Sequence, residues 1–214
     1  MLEIKNLGVT KGEKKILRGI DLTIPSGEKV VILGESGSGK STLLKSIILF
    51  EQLKYGTIKF RNRIINESNV NEYRKNFVYI SQKAPQSFHS VKEYICLPFK
   101  FNHNRDLSPD QTIFEHYLDR MNFKFDILAQ NYNDLSGGEQ QRITIIQALL
   151  LNKPYYLLDE ITSNLDKQNV SKVMDEILFQ DSRSIVYVTH NTDHLDRFDK
   201  IYRLQDGLLT LEVS

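Results

Sequence analysis

The residues best suited to chemistry in this chain form the run Gly34-Glu-Ser-Gly-Ser-Gly-Lys-Ser-Thr42. Gly34, Gly39, Lys40 and Ser41 meet the spacing G-x-x-x-x-G-K-[ST]. Glycines let a loop turn its amides toward phosphate oxygens. Lys40 can then set its ammonium on the terminal phosphates, and the Ser41 hydroxyl can ligate Mg²⁺. Glu35, Ser36, Gly37, Ser38 and Thr42 complete the cradle. A merely structural glycine-rich turn is the plainer reading, but the flanks oppose it. Val30-Val31-Ile32-Leu33 predicts a strand entering the loop, and Leu43 to Ile48 a helix leaving it. The chain is expected to bind a nucleoside triphosphate together with Mg²⁺.

A second anion site is expected at Leu135-Ser-Gly-Gly-Glu-Gln-Gln-Arg142. Ser136 suits a helix N-cap, and Glu139 follows three residues later as a capping box requires. Ile143, Ile145, Ile146, Leu149 and Leu150 then recur at roughly helical spacing. Gly137 and Gly138 leave the first amides of that helix bare, where free N–H groups and the helix dipole favour phosphate. Alone, this would be an ordinary turn capping a core helix. Beside a phosphate loop it becomes a further phosphate contact.

Tyr155-Tyr156-Leu157-Leu158 has the continuous apolar character of a strand buried on both faces, and it ends in Asp159 and Glu160. Ligands gather at the carboxyl ends of strands in parallel α/β sheets. Asp159 is placed to hold Mg²⁺ through water, and Glu160 to orient or deprotonate the attacking water. Ile185 to Thr189 predicts another buried strand, which delivers His190 to the same rim for a γ-phosphate contact. Phe77 to Ser81 predicts a strand whose end, Gln82, is on its own only a polar residue.

Positioning these groups takes a parallel sheet with a helix after the loop. Residues up to about 33 read as short strands, and Tyr55 to Phe60 as a turn into another. Arg61 to Asn76 is polar, mostly loop and short helix. From Lys83 to Asp134 there is no glycine and many aromatics, with a helical pattern over Ile113 to Met121. At 214 residues, one α/β domain can bury ~70% of its unfolded surface without staples. The 28 basic and 27 acidic residues leave a formal charge of +1 and no basic run, which argues against nucleic acid as a partner. The single cysteine, Cys96, excludes an internal disulfide and fits a reducing compartment. No apolar run approaches a membrane span, and the N-terminus is not a signal peptide.

The loop, the Asp-Glu strand end and above all the octapeptide resemble the nucleotide-binding subunits of ATP-binding cassette (ABC) transporters. The resemblance runs from about Met1 to Leu211. Family order is met by the phosphate loop at Gly34 to Ser41, the glutamine loop at Gln82 and the signature at Leu135 to Arg142. Asp159 and Glu160, the D-loop at Ser163-Asn-Leu-Asp166 and the switch histidine at His190 follow. It implies an α/β P-loop NTPase core with a mixed sheet, an N-terminal antiparallel β part and an inserted α-helical subdomain. The core would comprise 1–82 and 135–214, and the subdomain 83–134. It also implies that Gln82 contacts Mg²⁺ or the lytic water. Two copies would pair head-to-tail around two ATP-Mg, with Ser136, Gly137 and Gly138 reaching the partner's γ-phosphate and Asp166 coupling the sites. A membrane permease would dock on 83–134 from the cytoplasmic face.

Three positions depart from the family pattern. Lys11 stands where an adenine-stacking aromatic is usual; its stem can cover a purine but lacks a ring's stacking. Ile161 and Asn164 replace the more common proline and alanine without removing a catalytic group. Within 83–134, Phe88, Tyr94, Pro98, Phe99 and Phe101 either form the subdomain's small core or, several of them, line a groove that accepts a permease loop. Chromosome-type ATPases would need a long coiled coil between loop and signature, and translation or repair factors two such domains in one chain. The motifs look most like small ATPases of iron-export systems. Lipoprotein-release and macrolide-export ATPases share the size and motif set.

Overall fold

The computed structural model describes residues 1–83, 88–104, 107, 111–178 and 182–213. Packing divides the chain into two units. One holds Met1–Tyr79, Lys153–Glu160 and Asp181–Ser214; the other holds Ile80–Asn152 and Ile161–Gln180.

In the first unit, β1 (Leu2–Lys11) and β2 (Lys14–Ile24) form a long antiparallel hairpin rather than several short strands. Gly12, at φ 59°, turns the chain between them. With β4 (Tyr55–Phe60) and β5 (Arg63–Ile64) they make a four-stranded sheet in the order β2-β1-β4-β5. Alternation along β1 and β2 buries Leu2, Ile4, Leu17, Ile20, Leu22 and Ile24.

A second sheet carries the chemistry. It contains β3 (Lys29–Leu33), β6 (Phe77–Ile80), β7 (Tyr155–Asp159), β8 (Ser184–Thr189), β9 (Lys200–Gln205) and β10 (Leu208–Val213). Their order is β10-β9-β3-β8-β7-β6. β3 runs parallel to β8 and β9, and β7 parallel to β8; β10 is antiparallel to β9. The mixed sheet and the antiparallel N-terminal sheet are those expected from the sequence. All residues of β7 and β8 are buried, which is why their apolar runs are continuous rather than alternating. Helix α1 (Lys40–Ile47) packs on β7 and β8 through a face that buries Leu43, Leu44 and Ile47. A short α2 (Val70–Arg74) lies in the polar stretch before β6.

The second unit is helical, with α3 (Val91–Cys96), α4 (Gln111–Arg120), α5 (Gly137–Leu151) and α6 (Lys167–Leu178). α5 packs on α3, α4 and α6, so packing groups the signature helix with the helices of 83–134. Residues 84–87, 105–106 and 108–110 of that stretch lie outside the described residues. Its aromatics separate by environment. Tyr94 is buried, and the half-buried Phe88 ring lies 4.9 Å from it and 5.8 Å from buried Tyr132. These two rings pack with Tyr132 in the unit's core. Phe101, by contrast, is 51% exposed and stacks on His103. Among the described residues, no helix is long and apolar enough to cross a membrane.

Candidate functional site

Strand β3 delivers the chain into the loop at Gly34, whose amide donates to the Thr189 carbonyl at the end of β8 (3.3 Å). Two strand ends thus meet at one rim. A Cβ at Gly34 would lie 2.6 Å from the Leu204 carbonyl and 2.7 Å from Ser38 Oγ, so no side chain fits. Gly39, at φ 106°, turns the loop into the first residue of α1.

That first residue is Lys40, whose side chain is almost fully buried inside the loop. Its Nζ donates to the carbonyls of Gly34 (2.8 Å) and Glu35 (2.9 Å) and lies 3.1 Å from Glu160 Oε1. The other oxygen of Glu160 is 3.2 Å from His190 Nδ1. Glu160 therefore bridges the loop lysine and the histidine at the end of β8. Its backbone sits in the left-handed region, at φ 48°, and its amide donates to the Val188 carbonyl. A non-glycine residue in that region costs energy that the surrounding structure must supply, and such positions cluster at functional sites.

Asp159, the last residue of β7, is 3% exposed. Ser41 Oγ donates to its Oδ1 (2.9 Å) and Tyr79 OH to its Oδ2 (2.9 Å). Burial, and next the Asp159 charge, push the Tyr79 phenol far above its ordinary range, so it remains a donor. A hydroxyl and a carboxylate oxygen in contact are hard donors suited to Mg²⁺. Ser38 Oγ is buried in the loop with no hydrogen-bond partner, an orphan that a phosphate oxygen would satisfy.

Beside the outer side of the loop lies a cleft of about 340 Å³, lined by Lys14, Ile16, Arg18, the loop residues Gly34 to Ser38 and the turn Arg203 to Gly207. None of its lining residues is aromatic. Lys11 is exposed and pairs with Glu51 Oε1 at 2.7 Å. The Tyr55 ring covers Gly8, where a Cβ would fall 2.2 Å from its Cζ. Base discrimination should accordingly be weak, with GTP bound within about tenfold of ATP, or about 1.4 kcal/mol. Competition binding in the presence of Mg²⁺ measures it; a hundredfold preference for ATP would mean that a ring from elsewhere stacks on the base.

In the second unit, Ser136 caps α5 and the capping box closes as expected. The Ser136 side chain accepts from the Glu139 amide, and Glu139 Oε2 accepts from the Ser136 amide at 2.9 Å. Hydrogen bonds from the Ser136 hydroxyl and then its amide hold the Glu139 carboxyl below its usual range. A Cβ at Gly137 would meet nothing within 4 Å, whereas one at Gly138 would meet the Asn164 carbonyl at 2.9 Å. Asp166 caps α6, accepting from the Asn169 amide (2.9 Å) and side chain (2.7 Å). Asn169 Oδ1 in turn accepts from Arg142 Nη1 at 2.8 Å. The signature helix and the D-loop are thereby joined through one asparagine. Gln82, exposed, follows β6 in this same unit.

Of the predicted residues, the structure brings Lys40, Ser41, Asp159, Glu160 and His190 together in the first unit. Ser136, Gly138 and Asp166 line a common basin in the second. Sequence reasoning passed over Tyr79 and Asn169. Alternation gave a signal for the first: Val78 and Ile80 are buried, so Tyr79 takes the opposite face of β6. Asn169 carries no spacing signal, since an asparagine in a first helical turn is ordinary.

Comparison with known proteins agrees with this geometry. The family description "ABC transporter" matches residues 17–163. The chain is 34% identical over 208 residues to the probable iron export ATP-binding protein FetA of Escherichia coli, covering 96% of this chain and 91% of that protein. It is 30% identical over 215 residues to the lipoprotein-releasing system ATP-binding protein LolD of Leptospira interrogans, covering 96% and 89%. Among solved structures, a dimeric post-hydrolysis state of the ATP-binding cassette MJ0796 bound to ADP and Pi superposes with a TM-score of 0.86 at 26% identity, over 100% of this chain and 98% of that one. The chain belongs to the ABC transporter family and is one of its ATP-binding, ATP-hydrolysing cassettes.

Proposed function

We propose that the chain is the motor subunit of a membrane transporter, working as a head-to-tail pair of copies around two ATP-Mg and driving a separate permease. The observation that carries this reading is the Lys40–Glu160–His190 chain beside the Ser41–Asp159 pair at one sheet rim. Each member then has a task in phosphoryl transfer. The loop amides and Lys40 hold the β- and γ-phosphates, Glu160 orients and deprotonates the attacking water, and His190 steadies the γ-phosphate. Ser41 and Asp159 would hold Mg²⁺, which when bound would neutralise charge on the β- and γ-phosphates. Ser136, Gly137 and Gly138 of one copy donate to the γ-phosphate on the other, and Asp166 relays between the two sites through Asn169 and Arg142. With the γ-phosphate in the interface, hydrolysis releases the halves.

The permease docks on the helical stretch 83–134, which places the subunit on the cytoplasmic face of the membrane. Among the described residues Phe101 and Phe125 are exposed aromatics of that stretch, and Phe101 lies in the aromatic run after Gln82, so Phe101→Asp should lose the permease while basal ATPase and circular dichroism stay as in the wild type. Co-purification from solubilised native membranes reads this; retention of the permease would put the docking surface elsewhere. Similarity to an iron export ATP-binding protein supports a metal as cargo. Iron should then stimulate the ATPase of the captured complex. Stimulation by a lipoprotein and not by iron would assign it to lipoprotein release, and capture of no membrane protein would contradict the transport reading.

A further inference from the structure

Asp159 has two carboxylate oxygens, and each already has a single dedicated donor. Oδ1 faces Ser41 and Oδ2 faces Tyr79. The Ser41 contact belongs to the loop motif. The Tyr79 contact is made from a different strand, β6, whose alternation turns the ring toward the end of β7 while Val78 and Ile80 go into the core. A buried carboxylate free to rotate about its Cβ–Cγ bond would present either oxygen to Ser41. One held at Oδ2 presents only Oδ1. Partners that orient a metal-binding carboxylate in this way change metal affinity without touching the ion.

We propose that Tyr79 is a positioning residue for Mg²⁺. Its hydroxyl fixes the rotation of Asp159 so that Oδ1 and Ser41 Oγ stand ready as a pair, and it thereby sets how much Mg²⁺ the nucleotide site requires. This rests on the assignment of Asp159 to Mg²⁺ given above. The strand that carries Tyr79 ends at Ile80 and Gln82 follows two residues later, so one short segment bears both the residue that orients the carboxylate and the polar residue beyond the strand.

The test uses Tyr79→Phe, which keeps the ring and removes only the donor. In the full chain carrying Glu160→Gln, to prevent turnover, binding of an N-methylanthraniloyl derivative of ATP is titrated against Mg²⁺. Tyr79→Phe should raise the half-saturating Mg²⁺ concentration by about tenfold and leave binding in EDTA as it was. Asp159→Asn in the same background should abolish the Mg²⁺ dependence. If Asp159→Asn leaves that dependence intact, the assignment of Asp159 fails and this proposal with it. If Asp159→Asn abolishes it and Tyr79→Phe leaves it unmoved, the assignment stands and the positioning role is overturned. A Tyr79→Phe chain that no longer folds, or that only melts at lower temperature with unaltered Mg²⁺ dependence, would make the hydroxyl purely structural and equally overturn it.

Discussion

Replacing Glu160 by Gln should cut ATP turnover by about a hundredfold or more while ATP remains bound. The substitution keeps the shape of the site. A glutamine oxygen can still accept from Lys40, and its amide can face His190, so the 3.1 and 3.2 Å contacts on either side of residue 160 have substitutes. What is lost is the proton acceptor for the attacking water. Ser41, Asp159 and the loop amides are untouched, so binding persists. With hydrolysis blocked the γ-phosphate stays in place, and a pair of copies should accumulate on size exclusion in ATP and Mg²⁺. Phosphate release assays read the first effect directly. Wild-type turnover in Glu160→Gln would move the base to another residue.

The second large effect is expected from Lys40→Met. The lysine side chain is 4% exposed, and its ammonium lies within the loop against two carbonyls and Glu160. Such a buried cation is held for an anion. Methionine fills a similar volume with no charge, so the loop keeps its shape but loses the contact to the terminal phosphates. ATP should bind about a hundredfold more weakly, or about 2.7 kcal/mol. Removing the ammonium also takes a partner from the half-buried Glu160, and a deprived buried acceptor costs about 1–3 kcal/mol. The variant should therefore melt at lower temperature without nucleotide. Nucleotide titration and thermal unfolding measure both. ATP affinity within about threefold of wild type would mean that the ammonium does not meet the phosphates.

Much of this site was legible because its parts are local. A phosphate loop, a capping box and an apolar strand ending in two acids each occupy a few consecutive residues, and each follows from a rule about neighbours in the chain. Ser136 and Glu139 closed their capping box as the three-residue spacing required. The buried β7 and β8 followed from continuous apolar runs. Legibility ended where partners come from distant segments. Tyr79 meets Asp159 across 80 residues, and nothing in the chain near either residue marks the pair. Arg142 and Asn169 meet only because α5 packs on α6. The N-terminal strands were longer than expected, because register shifts in β1 let buried Leu7, Gly8 and Val9 follow one another without ending the strand. Phe88 was open between core and groove, since an aromatic's role depends on what packs beside it. Here that is Tyr94 and Tyr132.

If ATP is held between the phosphate loop of one copy and Ser136, Gly137 and Gly138 of another, pairing must depend on both ends at once. Light scattering of the Glu160→Gln chain in ATP and Mg²⁺ should give twice the mass of one chain. Adding Ser136→Arg places a bulky cation at the cap of α5 and leaves the loop intact. That double variant should bind ATP and yet have the mass of a single chain. A double variant that pairs as fully as Glu160→Gln alone, or a Glu160→Gln chain that stays single at saturating ATP, would contradict the shared site.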